Sequence, residues 1–263
     1  HRQLNALKKT DFPWLYEVSK AAPQEALRDL DRAYQNFFRR VKNGGEAPGF
    51  PKFKSRKNGI GSFRLTGAIH VTETHIKLPR IGWLRLKERG YIPTDGIHIL
   101  SVTVSEAAGG WFVSVQCKQE IETTQVIGGP VGVDLGIKDL AVISDGTRFE
   151  NPKPLKKAQG KLRRLQRELS RRKKGGKNRE KTRKKIAKAY QRIANIRRDT
   201  LHKATSAIVA KTKPDSERPS VVVLEDLNVS GMLANHCLAQ AISDVGFAEF
   251  RRQLEYKTVW YGS

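Results

Sequence analysis

Hydrophobic positions along the chain change period several times, and each change marks a structural boundary. Between Pro23 and Val41 the residues Ala26, Leu27, Leu30, Ala33, Tyr34, Phe37, Phe38 and Val41 fall on one stripe at helical spacing, and Gly44-Gly45 ends it. From Gly49 the helical period gives way to short apolar runs separated by Gly and Pro: Ile69 to Val71, His75 to Leu78, Trp83 to Leu86, Ile97 to Ser105 and Trp111 to Cys117. Val113, Val115 and Cys117 alternate with Ser114 and Gln116, the period of a half-buried strand. The alternation changes phase around Leu100-Ser101, which predicts a bulge or a barrel corner. Five such strands predict a small antiparallel barrel. Glu120 to Gly129, rich in Thr and Gly, reads as a linker into a second domain.

The second domain opens on Val131 to Ile137, followed by Leu140 to Ile143, an Asp145-Gly146 turn and Thr147 to Glu150, a β-hairpin by its turn chemistry. Leu155, Leu162, Leu165, Leu169, Ile186, Ala189, Ile193, Ile196 and Leu201 then recur at helical spacing, predicting two long amphipathic helices split at Gly175-Gly176. Ser220 to Leu227 is a continuous apolar run of the buried-strand type that ends in acids. Ile242 to Tyr261 returns to helical spacing, with Phe247, Phe250, Leu254, Tyr256, Val259 and Trp260 as the expected buried set.

Charge gives the long helices a meaning that periodicity alone does not. The 263 residues carry 50 Lys+Arg against 26 Asp+Glu, a formal net charge of +24. From Lys153 to Lys203 there are 22 basic residues and three acids, Glu168, Glu180 and Asp199, so 19 of those 24 charges sit in one stretch. A basic face of that density, backed by an apolar stripe, points to nucleic acid, because phosphate neutralisation releases counterions. With 38% hydrophobic residues the chain has material for packed cores, which excludes wholesale disorder. No apolar run approaches the ~20 residues of a membrane span, and no signal peptide leads the chain, so a soluble, cytoplasmic protein without a membrane partner is expected. Cys117 and Cys237 form no CxxC pair, which leaves neither a disulfide framework nor a cysteine zinc site within these residues. His1 at the start, with Met232 the sole methionine, reads as a piece of a longer chain.

Two acids stand out. Asp134 lies within an otherwise apolar strand, where a buried charge is costly unless compensated, and Glu225 ends a second apolar run. If the two strands are adjacent and parallel, the carboxylates meet, and two Mg²⁺ ions about 3.5–4 Å apart would neutralise them and clamp a phosphodiester. Gly132 and Gly136 are expected to allow close backbone approach. A hairpin, long basic helices and then an acidic strand follow the order of a ribonuclease-H-like nuclease.

Gly132 to Asp139, Leu169 to Gly175, Leu201-His202-Lys203, Val223 to Leu227, Ala241 to Asp244 and Arg252 to Lys257 together resemble the transposon-encoded TnpB proteins, RNA-guided DNA endonucleases ancestral to type V CRISPR effectors. The resemblance runs over nearly the whole chain. It implies an α/β nuclease domain of RuvC type and ribonuclease-H fold, a wedge (OB-like) antiparallel β-barrel, and part of a helical recognition domain. The expected boundaries are 1–47 for the helical part, 48–125 for the barrel and 126–263 for the incomplete nuclease domain, with basic helices over 153–211. Gly49-Phe50-Pro51-Lys52-Phe53-Lys54 resembles the entry into the barrel.

By the same resemblance Asp134 and Glu225 are metal-binding catalytic residues that hold Mg²⁺ as two ions. The third carboxylate, an Asp, follows a Zn²⁺ ribbon, and neither lies within these residues. Lys20, Gln24 and Thr66 correspond to readers of a short DNA motif beside the target. Arg163, Arg164, Arg167, Arg171, Arg172, Lys173 and Lys174 are the expected nucleic-acid contacts, and the implied partners are a guide RNA and target double-stranded DNA, which would tie the protein to the nucleoid. The alternative reading is a guide-RNA-dependent DNA binder or repressor that does not cut. Within Leu233 to Leu238, Ala234 and Cys237 stand where the family is usually basic.

Overall fold

The computed structural model describes residues 2–44, 49–52, 61–120, 126–210 and 213–263. Gly45, Phe53-Lys54, the 121–125 part of the expected linker and Lys211 lie outside the described residues. The chain divides into two compact units, His1–Glu120 and Ile121–Ser263.

The first unit begins with α1 (Arg2–Thr10), a 3-10 turn (Pro13–Tyr16) and α2 (Ala21–Lys42), so the predicted helical stripe is real and starts two residues before Pro23. Leu30, Phe38 and Val41 on that stripe are exposed, whereas Ala21 and Glu25 are buried. Six strands follow: β1 (Ser62–Leu65), β2 (His70–Val71), β3 (His75–Leu78), β4 (Gly82–Arg85), β5 (His98–Ala107) and β6 (Gly110–Lys118). All five expected strands are present. The sixth, β1, escapes a periodicity reading because Ser-Phe-Arg-Leu is too short to show a period. The expected bulge lies between Ile99 and Ser101 of the β5–β6 pairing. The expected barrel is corrected: the strands form two separate three-stranded antiparallel sheets, β1-β5-β6 and β2-β3-β4, and neither closes on itself. Leu65, Ile69, Ile76, Leu78, Val102 and Val104 are the apolar centre of this unit, with Ala21 of α2 packed among them.

The second unit carries a four-stranded mixed sheet in the order β10-β7-β8-β9. β7 (Val131–Leu135), β8 (Asp139–Ile143) and β9 (Arg148–Glu150) form an antiparallel meander, and β10 (Val222–Leu224) returns to lie parallel to β7. The crossover between them holds α3 (Pro154–Arg171) and α4 (Lys177–Ile208), joined across Gly175 at φ +80°. That is the strand–helix–parallel-strand connection a parallel pair requires. After β10 come α5 (Val229–Ala234), α6 (Ala239–Val245) and α7 (Phe247–Tyr261). The helical period read over Ile242 to Tyr261 is thus two helices, interrupted by Gly246 at φ +80°.

The core of this unit joins Val133, Leu140, Ala141 and Ile143 of the sheet to Leu201, Ala204 and Ile208 of α4 and to Phe247, Phe250 and Leu254 of α7. Two expectations about burial are corrected. Val259 and Trp260 are exposed at 70% and 50%, because the α7 face that meets α4 is the one bearing Phe250, Gln253, Leu254 and Lys257. The β10 run is buried on one face only: Val222 and Leu224 meet the core, while Val221 and Val223 stand exposed.

Candidate nuclease site

The β10–β7 ladder pairs Val222 with Val131, Val223 with Gly132 and Leu224 with Val133. Val133 and Leu224 both point into the core. The ladder ends there: Asp134 is the next residue of β7, and Glu225 is the first residue beyond β10. Both side chains are exposed, which corrects the expectation that Asp134 is a buried charge within an apolar strand. The apolar neighbours that suggested burial belong to the other face of the same strand. No lysine or arginine among the described residues pairs with either carboxylate.

On β8, Val142 stands across from Asp134, and Arg148 of β9 stands across from Val142. Arg148 is directed to Asp139, at 3.6 Å, and so is engaged away from Asp134. The two glycines differ. A Cβ on Gly136 would sit 2.9 Å from the Asp139 carbonyl oxygen, so the turn requires glycine, whereas a Cβ on Gly132 would meet only Ser144 Cβ at an ordinary 3.7 Å.

Asp226, next to Glu225, is turned outward and ion-paired with Arg251 of α7, which also reaches Glu255 at 3.0 Å. These two carboxylates raise the Arg251 pKa, Asp226 foremost. Asp244 has a scaffolding position that the sequence did not disclose. Its carboxylate accepts the Leu155 backbone N–H at 3.0 Å and the Arg197 guanidinium at 2.7 Å, so one buried side chain ties α6 to the start of α3 and the middle of α4. The backbone oxygen of Asp244 takes a further bond from Arg197 Nε at 2.8 Å.

Carboxylates of this kind offer hard oxygen donors, which suit Mg²⁺, an ion commonly bound through one or two carboxylates plus substrate phosphates. Among the described residues no group of three or more His, Cys, Asp or Glu converges. Cys237 Sγ and His236 Nε2 lie 3.4 Å apart on an exposed loop.

The basic residues occupy a helical hairpin. Leu162 and Leu165 of α3 and Ile193 of α4 are buried, while Arg163, Arg164, Arg167, Arg171, Lys173 and Lys174 are exposed. Arg172 is placed differently from its neighbours: it pairs with Glu168 and donates to the Asn178 carbonyl at 2.7 Å, closing the hairpin tip. Thr182 Oγ1, fully buried, donates to the same Glu168 at 3.1 Å.

In the first unit, Lys20 has helical backbone angles immediately before Ala21, so Lys20 and Gln24 are one helical turn apart and lie on neighbouring positions of one face. Lys20 is exposed and Gln24 half-buried. Thr66, half-buried, follows β1, whose Arg64 lies 3.8 Å from Glu25 of α2. The end of β1 and the first turns of α2 therefore meet.

Residues 112–236 match the family OrfB IS605, described as "Probable transposase". The chain is 37% identical over 271 residues to the Escherichia coli K12 protein named "Putative RNA-guided DNA endonuclease InsQ", covering 96% of this chain and 63% of that protein. Over residues 112–236 the chain is similar to this transposase family. A Streptomyces pristinaespiralis protein named "Putative RNA-guided DNA endonuclease" is likewise 37% identical, over 98% of this chain and 62% of its own length. The chain thus spans about three-fifths of the length of these TnpB-like relatives. None of the described helices is long and apolar enough to cross a membrane.

Proposed function

We propose that this protein supplies the nuclease centre of an RNA-guided DNA endonuclease that cuts target DNA beside a short transposon-adjacent motif. One observation supports the reading: the parallel β10–β7 ladder ends at Leu224 and Val133, and the next residue along each chain segment is an exposed carboxylate, Glu225 and Asp134, without a basic partner among the described residues. Like charges so placed repel unless a proton or a cation stands between them. Asp134 and Glu225 would hold Mg²⁺, which when bound lowers the pKa of a coordinated water and offsets charge on the phosphodiester. The chain's own contribution would be to hold Asp134 within β7 and Glu225 just past the end of β10, and to leave both open to a wide, charged substrate.

The exposed bases of the α3–α4 hairpin would bind phosphates of the guide RNA and its heteroduplex by charge and shape, leaving sequence choice to base pairing. Lys20, Gln24 and Thr66 would read the adjacent DNA motif, with the Gln24 amide suited to an adenine edge.

The test uses the full-length protein purified with the RNA it carries and a DNA duplex matching that RNA. Asp134→Ala and Glu225→Ala should each abolish Mg²⁺-dependent cleavage and leave RNA binding nearly intact. Cleavage at the wild-type rate in either variant overturns the site. Guided binding by the wild-type protein without any cleavage would instead favour the non-cutting reading.

A further inference from the structure

Arg64 is held in one orientation at the α2–β1 junction by groups from three elements. Its Nη2 donates to Ser101 Oγ at 2.9 Å and to Gln116 Oε1 at 2.8 Å, which uses both hydrogens of that nitrogen. Ser101 is itself buried and donates to the same Gln116 oxygen at 3.0 Å, so the two acceptors are fixed relative to each other. Nε is buried and faces Glu25 Oε2 at 3.8 Å, within ion-pair range and beyond hydrogen-bond range. Nη1 alone has no partner among the described residues, and about a third of the side chain is exposed.

Charge at the junction is unbalanced. Buried Glu25 is shared between Arg28 and Arg64, so two guanidinium groups face one carboxylate and a positive charge remains. Gln24 precedes Glu25 on α2, and Thr66 lies two residues beyond Arg64, immediately after β1.

We propose that Arg64 is a pre-oriented phosphate clamp for target DNA, setting the register in which Lys20, Gln24 and Thr66 meet the base edges. The inference rests on the motif-reading role given to those three residues. Bidentate recognition of guanine needs two nitrogens of the guanidinium, and here Nη2 is consumed and Nε is covered. The single remaining donor nitrogen and the net positive charge suit a phosphate oxygen. Such a contact fixes orientation without carrying sequence. Holding the guanidinium in place beforehand removes part of the entropy that a free arginine loses on binding.

The experiment measures binding of the full-length protein, with its RNA, to matched duplexes whose adjacent motif is varied one base pair at a time, over a range of salt. Arg64→Gln should weaken binding by a similar factor on every duplex and lower the slope of log affinity against log salt by about 0.9, the loss of one phosphate contact. Gln116→Glu, nearly isosteric, places an anion against Nη2 and should lower the slope comparably with the fold intact. It keeps the test valid if Arg64→Gln does not fold. An unchanged slope in a folded variant overturns the clamp, as does a loss confined to one motif base pair. A loss of guide-RNA binding with DNA contacts unchanged overturns it too, by moving the clamp to RNA. If the wild-type protein itself shows no preference among the duplexes, it is the motif-reading role that fails.

Discussion

Glu225 and Asp134 each follow the last pair of the parallel ladder, Leu224 with Val133, and both of those paired residues face the core. Asp226, the neighbour of Glu225, is drawn to Arg251. Two adjacent carboxylates therefore differ in their surroundings, one ion-paired and, among the described residues, one not. Glu225→Gln should reduce cleavage to below about one-thousandth of wild type, as losses of catalytic groups commonly do. Asp226→Asn removes only an exposed ion pair, a contact of about 0–1 kcal/mol, and should leave cleavage nearly unchanged. Single-turnover cleavage of a matched duplex separates the two; equal losses would show that the acids act together.

The register itself depends on Gly128. It bridges to Pro219 just before β7 and β10 meet, and its carbonyl accepts the Ser220 N–H at 3.1 Å. A Cβ there would fall 1.8 Å from the Arg218 carbonyl oxygen. Gly128→Ala should cost about 1–3 kcal/mol through overpacking and, by shifting β10, lower cleavage by as much as ~100-fold. Gly129→Ala, whose Cβ would meet nothing within 4 Å, is the control and should be neutral. Thermal unfolding and cleavage rates measured on both variants check this.

Asp244 is buried and bonded to Arg197 and to the Leu155 N–H. Asp244→Ala leaves a part-buried guanidinium without its carboxylate and the α3 terminus without an acceptor. The expected loss is about 3 kcal/mol, or roughly 6–12 °C in unfolding midpoint, with residual cleavage by the folded fraction. A shift under ~2 °C in calorimetry would show that water replaces the carboxylate at no cost.

Acid should weaken the α4–α7 interface in two steps. Burial, with Lys257 nearby, lowers the His202 pKa below 6.5, so the unfolded chain takes up that proton first and stability falls as pH drops below about 6.5. The Arg252 hydrogen bond, followed by that from Gln253, holds Glu249 at about 2 rather than 4.5. Its contribution is complete above about pH 4.5 and is lost as pH falls toward 2. His202→Gln should flatten the upper step and Glu249→Gln the lower one, as read from unfolding midpoints between pH 2 and 8.

The elements of this protein follow from local pattern. The period of two over Val113 to Cys117, the phase change at Leu100-Ser101, the Asp145-Gly146 turn and the break at Gly175-Gly176 each appear in the structure where the sequence puts them. The adjacency of the strands that carry Asp134 and precede Glu225 was legible only as a condition, and the structure meets it: β7 and β10 run parallel and side by side. Residue type misled where one face of an element is covered and the other is not: Val221, Val223, Val259 and Trp260 are as apolar as their buried neighbours, yet they point to solvent. Asp244 and Arg64 gave no local signal at all, since each takes its role from partners on other elements, whereas the Arg172–Glu168 pair has the i,i+4 spacing of one helix.

Charge, periodicity and turn residues act over a few positions, so the sequence by itself determined the strands, the helices and the concentration of basic charge between Lys153 and Lys203. Which strands lie side by side, which arginines are spent on structure and whether the six strands of the first unit close were decided by the tertiary structure. Those outcomes depend on register and on the choice of buried face, and a shift of one residue in a strand reverses both.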